Sequence, residues 1–238
     1  MKIWFASGNH HKKAELAAIL KDQGLSCNVL IPQDVGLDFD PEETGKTFHD
    51  NSLLKARELY VLLDDTQNAG HWQPGDLIIA DDSGICVDAL DGRPGIHSAR
   101  YAGTATGYAG QHTDGKKITA SERNALLLAE LGDNPQRSAR FVCAMTLLFN
   151  PDRFYIVQET CEGVLVKSPD EARGTNGFGY DPILFIPELN STMAELSDEV
   201  KNRISHRAKA GKVIAGLLRD RGSLLADHRE ASGIRDQG

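Results

Sequence analysis

Two adjacent carboxylates, Asp81 and Asp82, close the apolar run Leu77-Ile78-Ile79-Ala80 and lead into Ser83-Gly84. The run reads as a short buried strand, the four residues after it as a sharp turn, and Ile85 to Val87 as a further short strand. Ligands of open α/β sheets sit at strand ends. Carboxylates drawn partly out of water need a cation or hydrogen bonds to compensate them. A Mg²⁺ ion bridging carboxylate and phosphate oxygens would do so; an Asp-Asp turn open to water is the alternative. A second pair, Glu42-Glu43, precedes Thr44-Gly45 and could bind a hard cation through oxygen, or could be solvated charge leading into the next helix. That helix carries Asn51 and Lys55, four residues apart and so on one face. For these two a polar surface position is the default expectation.

Three further groups offer complementary chemistry. In Ser7-Gly8-Asn9-His10-His11-Lys12-Lys13 a strand gives way to a helix through a glycine. Backbone N–H groups at a helix start favour an anion, and lysines there oppose the helix dipole, which suits a ligand role. In Gly174-Thr175-Asn176-Gly177-Phe178-Gly179-Tyr180-Asp181-Pro182 the glycines permit close approach to a flat ligand. Phe178 and Tyr180 offer rings for stacking, and Asp181 offers an acceptor for a ring N–H; a plain glycine-rich loop is the alternative. Lys201 and Ser205-His206-Arg207 supply donors suited to purine carbonyl oxygens. Together these groups amount to phosphate cations, metal carboxylates, a base-stacking loop and purine-edge donors.

Other chemistries find little support. The P-loop pattern and the G-x-S-x-G elbow are absent, and no H-x-x-x-H or H-E-x-x-H pattern suggests zinc. The four cysteines, Cys27, Cys86, Cys143 and Cys161, are far apart and read as reduced, packed thiols. A net charge of −8 argues against wrapping a nucleic-acid polymer. No apolar run reaches the roughly 18 residues of a membrane span, and the first residues do not form a signal peptide. The expectation is a cytoplasmic protein.

The elements that must hold these groups alternate early. Lys2 to Ala6 reads as a strand, His11 to about Gln23 as a helix, and Cys27 to Ile31 as a strand. Thr47 to Leu63 reads as a helix with Leu53, Ala56, Tyr60 and Leu63 on one face. Gly103 to Gly115 reads as a loop and Ser121 to Leu131 as a helix. Ala139 to Phe149 and Phe154 to Glu162 form an expected antiparallel hairpin. Arg173 to Tyr180 is a loop, Pro182 to Ile186 a strand, and Asp198 to Leu218 helical with a break near Ser205. The charged tail after Arg219 is expected to be partly disordered. The pattern predicts an α/β fold with one elongated mixed β-sheet and flanking helices. Residues 1–219 make a single domain, with 220–238 a flexible tail.

The ordered set S-G-N-x-x-K, E-E-T-G, T-F-x-x-N, L-K-A-R, A-D-D-S-G, P-G-I-x-S-A-R-Y, G-F-G-Y-D-P and S-H-R resembles the inosine-triphosphate pyrophosphatase family, also called the non-standard purine nucleoside-triphosphate pyrophosphatases. The resemblance covers about residues 2 to 218. It implies two lobes around a central cleft, a homodimer, and Mg²⁺-dependent hydrolysis of ITP, dITP and XTP to monophosphate and pyrophosphate. Carried onto this chain, it implies triphosphate contacts from Ser7, Gly8, Asn9, His10, His11 and Lys12, joined by Lys55. It makes Asp82 the general base and a metal ligand, with Glu42 and Asp81 supporting the metal, and places Ser83 on substrate. Phe178, Gly179, Tyr180 and Asp181 would hold the base, and Lys201, His206 and Arg207 would read its edge. Three segments depart from the family pattern: a long Asp64 to Asp76, an insertion at Ala105 to Thr119, and the tail. A hydrolase of modified pyrimidine triphosphates and a non-catalytic nucleotide sensor are the rival readings.

Overall fold

The computed structural model describes residues 1–65, 71–73, 75–102 and 118–220. The expected loop Gly103 to Gly115, nearly all of the Ala105 to Thr119 insertion, and the tail beyond Asp220 lie outside the described residues, as do parts of Asp64 to Asp76.

The expected α/β class and mixed sheet are found. Seven strands, β1 (Lys2–Phe5), β2 (Asn28–Leu30), β3 (Leu77–Val87), β4 (Ser138–Asn150), β5 (Arg153–Leu165), β6 (Leu184–Ile186) and β7 (Ser191–Thr192), lie in the order β2-β1-β3-β4-β5-β6-β7. β1 runs parallel to β2 and β3, and the remaining neighbours are antiparallel. Among the described residues five α-helices flank the sheet: α1 (His10–Asp22), α2 (Phe48–Asp64), α3 (Ala120–Leu131), α4 (Asp198–Ile204) and α5 (His206–Arg219). None of the described helices is long and apolar enough to cross a membrane.

β3 corrects the sequence reading. It does not turn at Asp81-Asp82-Ser83-Gly84 but continues to Val87, because β4 pairs with it without interruption from Ile78↔Leu148 to Val87↔Ala139. The strand that ends is β1: its register with β3 stops at Phe5↔Ile79, and the chain then leaves toward α1. The carboxylates therefore sit where β3 loses one neighbour, which keeps the strand-end logic and moves it to the adjacent strand.

Strand alternation then sends the two aspartates to opposite faces. Ile79 and Leu77 pack with Leu16 and Leu20 of α1 and Ala210 and Ile214 of α5. Asp81 shares their side. Ile78 and Ala80 pack with Ala56, Leu59 and Leu63 of α2, and Asp82 shares theirs. The buried stripe of α2 comprises Asn51, Ser52, Lys55, Ala56, Leu59 and Leu63, so the expected face through Leu53 and Tyr60 is rotated. Leu53 and Tyr60 are only half-buried, whereas Asn51 is 0% and Lys55 8% exposed. The expected surface position of Asn51 and Lys55 is thus overturned, because Asp82 waits beneath them.

The break near Ser205 is present. This residue ends α4 and caps α5, its Oγ accepting from the Ala208 N–H at 3.1 Å. The cap places His206 and Arg207 in the first turn of α5, over the Asp81 face.

Candidate functional site

On the α1/α5 face, Asp81 is the centre of a buried charge cluster. Lys12 Nζ donates to its two oxygens at 3.1 and 3.2 Å. Arg207 Nε and Nη2 donate to Oδ2 at 3.0 and 2.7 Å, and Nη2 also reaches Ser83 Oγ at 3.0 Å. Arg207 Nη1 donates to Glu15 at 2.8 Å. Burial alone would push the Asp81 carboxyl up, but Lys12, Arg207 and Lys55 overcome it and hold the group ionised far below the usual carboxylate range. Lys12 stands in place because Asn9 caps α1, its Oδ1 accepting from the His11 and Lys12 N–H groups at 2.9 and 3.2 Å.

On the α2 face, Asp82 Oδ1 accepts from Lys55 Nζ at 2.9 Å and Oδ2 from Asn51 Nδ2 at 3.2 Å. Lys55 also bonds Glu43 at 2.8 Å. Burial pushes the Asp82 carboxyl up; Lys55 pulls it down and Glu43 pushes it up again, leaving it above the ordinary value. The neighbouring aspartates thus differ in charge environment as well as direction: Asp81 is saturated with cations, and Asp82 retains proton affinity.

The glycine loop folds against α4. Asp181 Oδ2 accepts from Lys201 Nζ at 2.7 Å and from the Phe178 N–H at 3.1 Å. The Phe178 ring is 46% exposed, with the Arg207 guanidinium 5.8 Å from its centroid. Tyr180 is buried instead, its hydroxyl donating to the Ser98 carbonyl at 2.8 Å, so it is a wall and Phe178 the open ring. His206 stacks on Phe141 at 5.0 Å and 24°, and its buried Nδ1 has no hydrogen-bond partner among the described residues. Burial, with Arg207 beside it, holds the imidazole neutral. Gly177 has φ +95°, and a Cβ there would lie 1.9 Å from Asp181 Oδ2 and 2.3 Å from Lys201 Nζ. Gly177→Ala is therefore expected to part Asp181 from Lys201 and raise KM for the substrate by about tenfold or more, with a smaller change in kcat; steady-state kinetics reads the split.

Two adjoining cavities result. One, of ≈ 570 Å³, is lined by Ser7, Gly8, Lys12, Glu42, Glu43, Lys55, Asp81 and Arg100 among others. The second, of ≈ 390 Å³, is lined by Ser83, Phe141, Phe178, Lys201, His206 and Arg207 among others. Asn9 and Lys12 border both. A charged chamber that opens beside an aromatic one, with a lysine on the shared rim, has the layout of a phosphate chain beside a base.

Residues 3–216 match the Ham1 family. The chain belongs to the Ham1 family. It is 44% identical over 210 residues to a dITP/XTP pyrophosphatase of Treponema denticola, covering 88% of this chain and 94% of that one. It is 42% identical over 215 residues to a dITP/XTP pyrophosphatase of Geobacillus kaustophilus, covering 88% and 90%. The Ham1 protein of Staphylococcus aureus superposes with a TM-score of 0.72 at 34% identity, covering 93% of this chain and all of that one.

Most of the sequence-predicted residues of this Ham1 chain line the two cavities. His10, His11 and Asp82 do not: the histidines are exposed on the first turn of α1, and Asp82 is buried beneath Lys55 and Asn51, behind the charged chamber's lining. Glu42 is exposed at the charged chamber, while Glu43 makes the bond to Lys55. Asp81, expected beside the metal, has its oxygens occupied by Lys12 and Arg207. Arg207, expected to read a base edge, borders the aromatic cavity with its guanidinium bonded to Asp81, Glu15 and Ser83. Glu15, Arg100 and Ser98 border the cavities without having been candidates in the sequence. Arg100 and Ser98 fall inside P-G-I-x-S-A-R-Y, and the signal for Ser98 is Gly84: a Cβ there would meet Ser98 Oγ and Gly95 O, each at 2.4 Å.

Proposed function

We propose that this protein is a Mg²⁺-dependent nucleoside-triphosphate pyrophosphatase that converts ITP, dITP and XTP to the monophosphate and pyrophosphate, clearing these nucleotides from the cellular pool. Its Treponema and Geobacillus relatives, both dITP/XTP pyrophosphatases, support the reading. The observation that carries it is the division of labour across β3: Asp82 keeps proton affinity beside Lys55, while Asp81 anchors Lys12 at the junction of the two cavities.

Lys12 and Lys55 offset charge on the phosphates, and the backbone around Ser7 and Gly8 cradles them. Asp82 accepts the proton of the water that attacks the α-phosphorus, and Lys55 and Asn51 fix its orientation. Among the described residues no three His, Cys, Asp or Glu side chains gather into a metal-holding group. The oxygen donors of Asp82 and Glu42 suit Mg²⁺, a hard cation held by one or two carboxylates plus substrate phosphates. Asp82 and Glu42 would hold it, and when bound it supplies charge neutralisation at phosphate oxygens. Asp81 is left to anchor cations.

Base choice follows from polar matching. Hypoxanthine and xanthine present a 6-oxo acceptor where adenine presents an amino donor. Lys201 and the neutral His206 lie in the aromatic cavity, and adenine would leave a donor there unpaired, at a cost of about 1–3 kcal/mol per lost partner. The test is pyrophosphate release from ITP, XTP, ATP, GTP and dUTP with Mg²⁺. Release from ITP and XTP that exceeds that from ATP, GTP and dUTP and stops with EDTA is expected. Inorganic phosphate alone, or no release, would overturn the reading.

A further inference from the structure

We infer that Arg123 sets the enzyme's choice among purines that differ at C2, favouring a xanthine base over hypoxanthine and opposing guanine. The inference rests on the pyrophosphatase reading above and deepens it.

Four cations border the base cavity: Lys12, Arg123, Lys201 and Arg207. Three are bound to carboxylates. Lys12 pairs with Asp81, Lys201 with Asp181, and Arg207 with Asp81 and Glu15. Arg123, in the first turns of α3, is different. Its hydrogen bond among the described residues runs from Nη1 to a neutral acceptor, the Ile118 carbonyl, at 2.8 Å. That bond fixes the side chain without cancelling its charge. The guanidinium also acts on the Tyr180 phenol, opposing the upward push of burial there, so the charge reaches the loop that holds the base. Glu15 and Asp181 also line the cavity, and both are committed to other cations.

The chemistry at C2 separates the substrates. Hypoxanthine has a C–H there and is neutral near pH 7. Xanthine has a second carbonyl, and the two carbonyls acidify its ring N–H so that the base gives up a proton close to neutrality. A guanidinium that no carboxylate among the described residues neutralises attracts that negative charge and can donate to the 2-oxo group. Guanine carries a 2-amino donor at the same place. A guanidinium has no acceptor to offer it, so guanine is left with a donor against a donor. Discrimination at C2 is what Lys201 and His206, as 6-oxo donors, do not supply.

The test compares kcat/KM for XTP, ITP and GTP in the wild type and in Arg123→Lys, Arg123→Gln and Arg123→Glu. The XTP-to-ITP ratio is expected to fall by about tenfold in Arg123→Gln, further in Arg123→Glu, and least in Arg123→Lys. GTP turnover relative to ITP should rise in Arg123→Gln and Arg123→Glu. Because ITP and XTP differ only at C2, damage to α3 or to the Ile118 contact lowers both and leaves their ratio alone. An unchanged ratio across the series, with or without equal loss on both substrates, overturns the inference and leaves the pyrophosphatase reading intact. Absence of pyrophosphate release from the wild type on either substrate removes both.

Discussion

Asp82→Asn is expected to lower kcat for ITP by about two to four orders of magnitude, the usual span for losing a general base. The substitution keeps shape. The amide oxygen of the variant side chain could still accept from Lys55 at the loss of the bond from Asn51 Nδ2, and the Lys55–Glu43 bond is untouched. KM should rise less than kcat falls, because Lys12 and Lys55 still face the phosphates while Glu42 alone is left to hold Mg²⁺. Stability moves the other way from activity. Burial raises the Asp82 carboxyl above its unfolded value, so the folded state binds that proton more tightly than the unfolded chain does. Ionised Asp82 therefore subtracts from stability at neutral pH, and the cost shrinks as pH falls below the raised folded value and is gone below the ordinary carboxylate value. A neutral amide removes the cost at every pH, so the metal-free variant should melt no lower than the wild type at pH 7. Loss of turnover with an unchanged or raised melting temperature places Asp82 in the chemistry. Near-normal turnover would sink the assignment, and a collapse in melting temperature would make it a structural residue.

The sequence made Asp82 visible but not its setting. An apolar run of four residues ending in two carboxylates and a glycine has the look of a strand meeting a turn. Only β4, which lies about sixty residues further on, decides that the strand continues, and pairing over that distance leaves no local mark. The hairpin of β4 and β5 was legible, since long β-branched and aromatic runs flank Asn150-Pro151-Asp152. The helices were legible from apolar spacing and from Ser, Thr and Asn caps. The face of α2 was not, because its core stripe contains a lysine and an asparagine, and those side chains are bland until a buried carboxylate is known to lie beneath them. In retrospect Asn51, Lys55, Leu59 and Leu63, each four apart, form one helical row, and two of the four are apolar. The assembly of the site was legible mainly through the resemblance. Fragments from residue 7 to residue 207 meet only because Arg207 crosses 126 residues of sequence to reach Asp81. Which neighbour of each acidic pair does what, Glu42 against Glu43 and Asp81 against Asp82, is decided by strand alternation and by single hydrogen bonds.

Arg207→Met is expected to destabilise the protein by about 3–5 kcal/mol, the usual cost of removing one partner of a buried ion pair. That corresponds to a fall in melting temperature on the order of 10 °C for a chain of this size. Asp81 would keep Lys12 but lose two of its bonds, and Glu15 would lose its partner. The pH dependence identifies the cause. In the wild type the cations hold Asp81 far below its unfolded value, so its contribution is complete above the ordinary carboxylate range and is lost as pH falls below it, where the unfolded chain takes up a proton and the folded one does not. Without Arg207 that depression weakens. The stability gap between wild type and variant should then narrow in thermal melts between pH 7 and pH 3; a constant gap would assign the loss to packing. Asp81→Leu combined with Arg207→Met removes the orphaned charge, and should recover much of the lost stability, as apolar replacements of buried ion pairs do. Activity should not return, because Lys12 would no longer be held at the junction of the phosphate and base cavities. Recovery of stability without recovery of turnover would mean that the Asp81–Arg207 pair is kept for the position it gives Lys12, and that the fold itself does not require it.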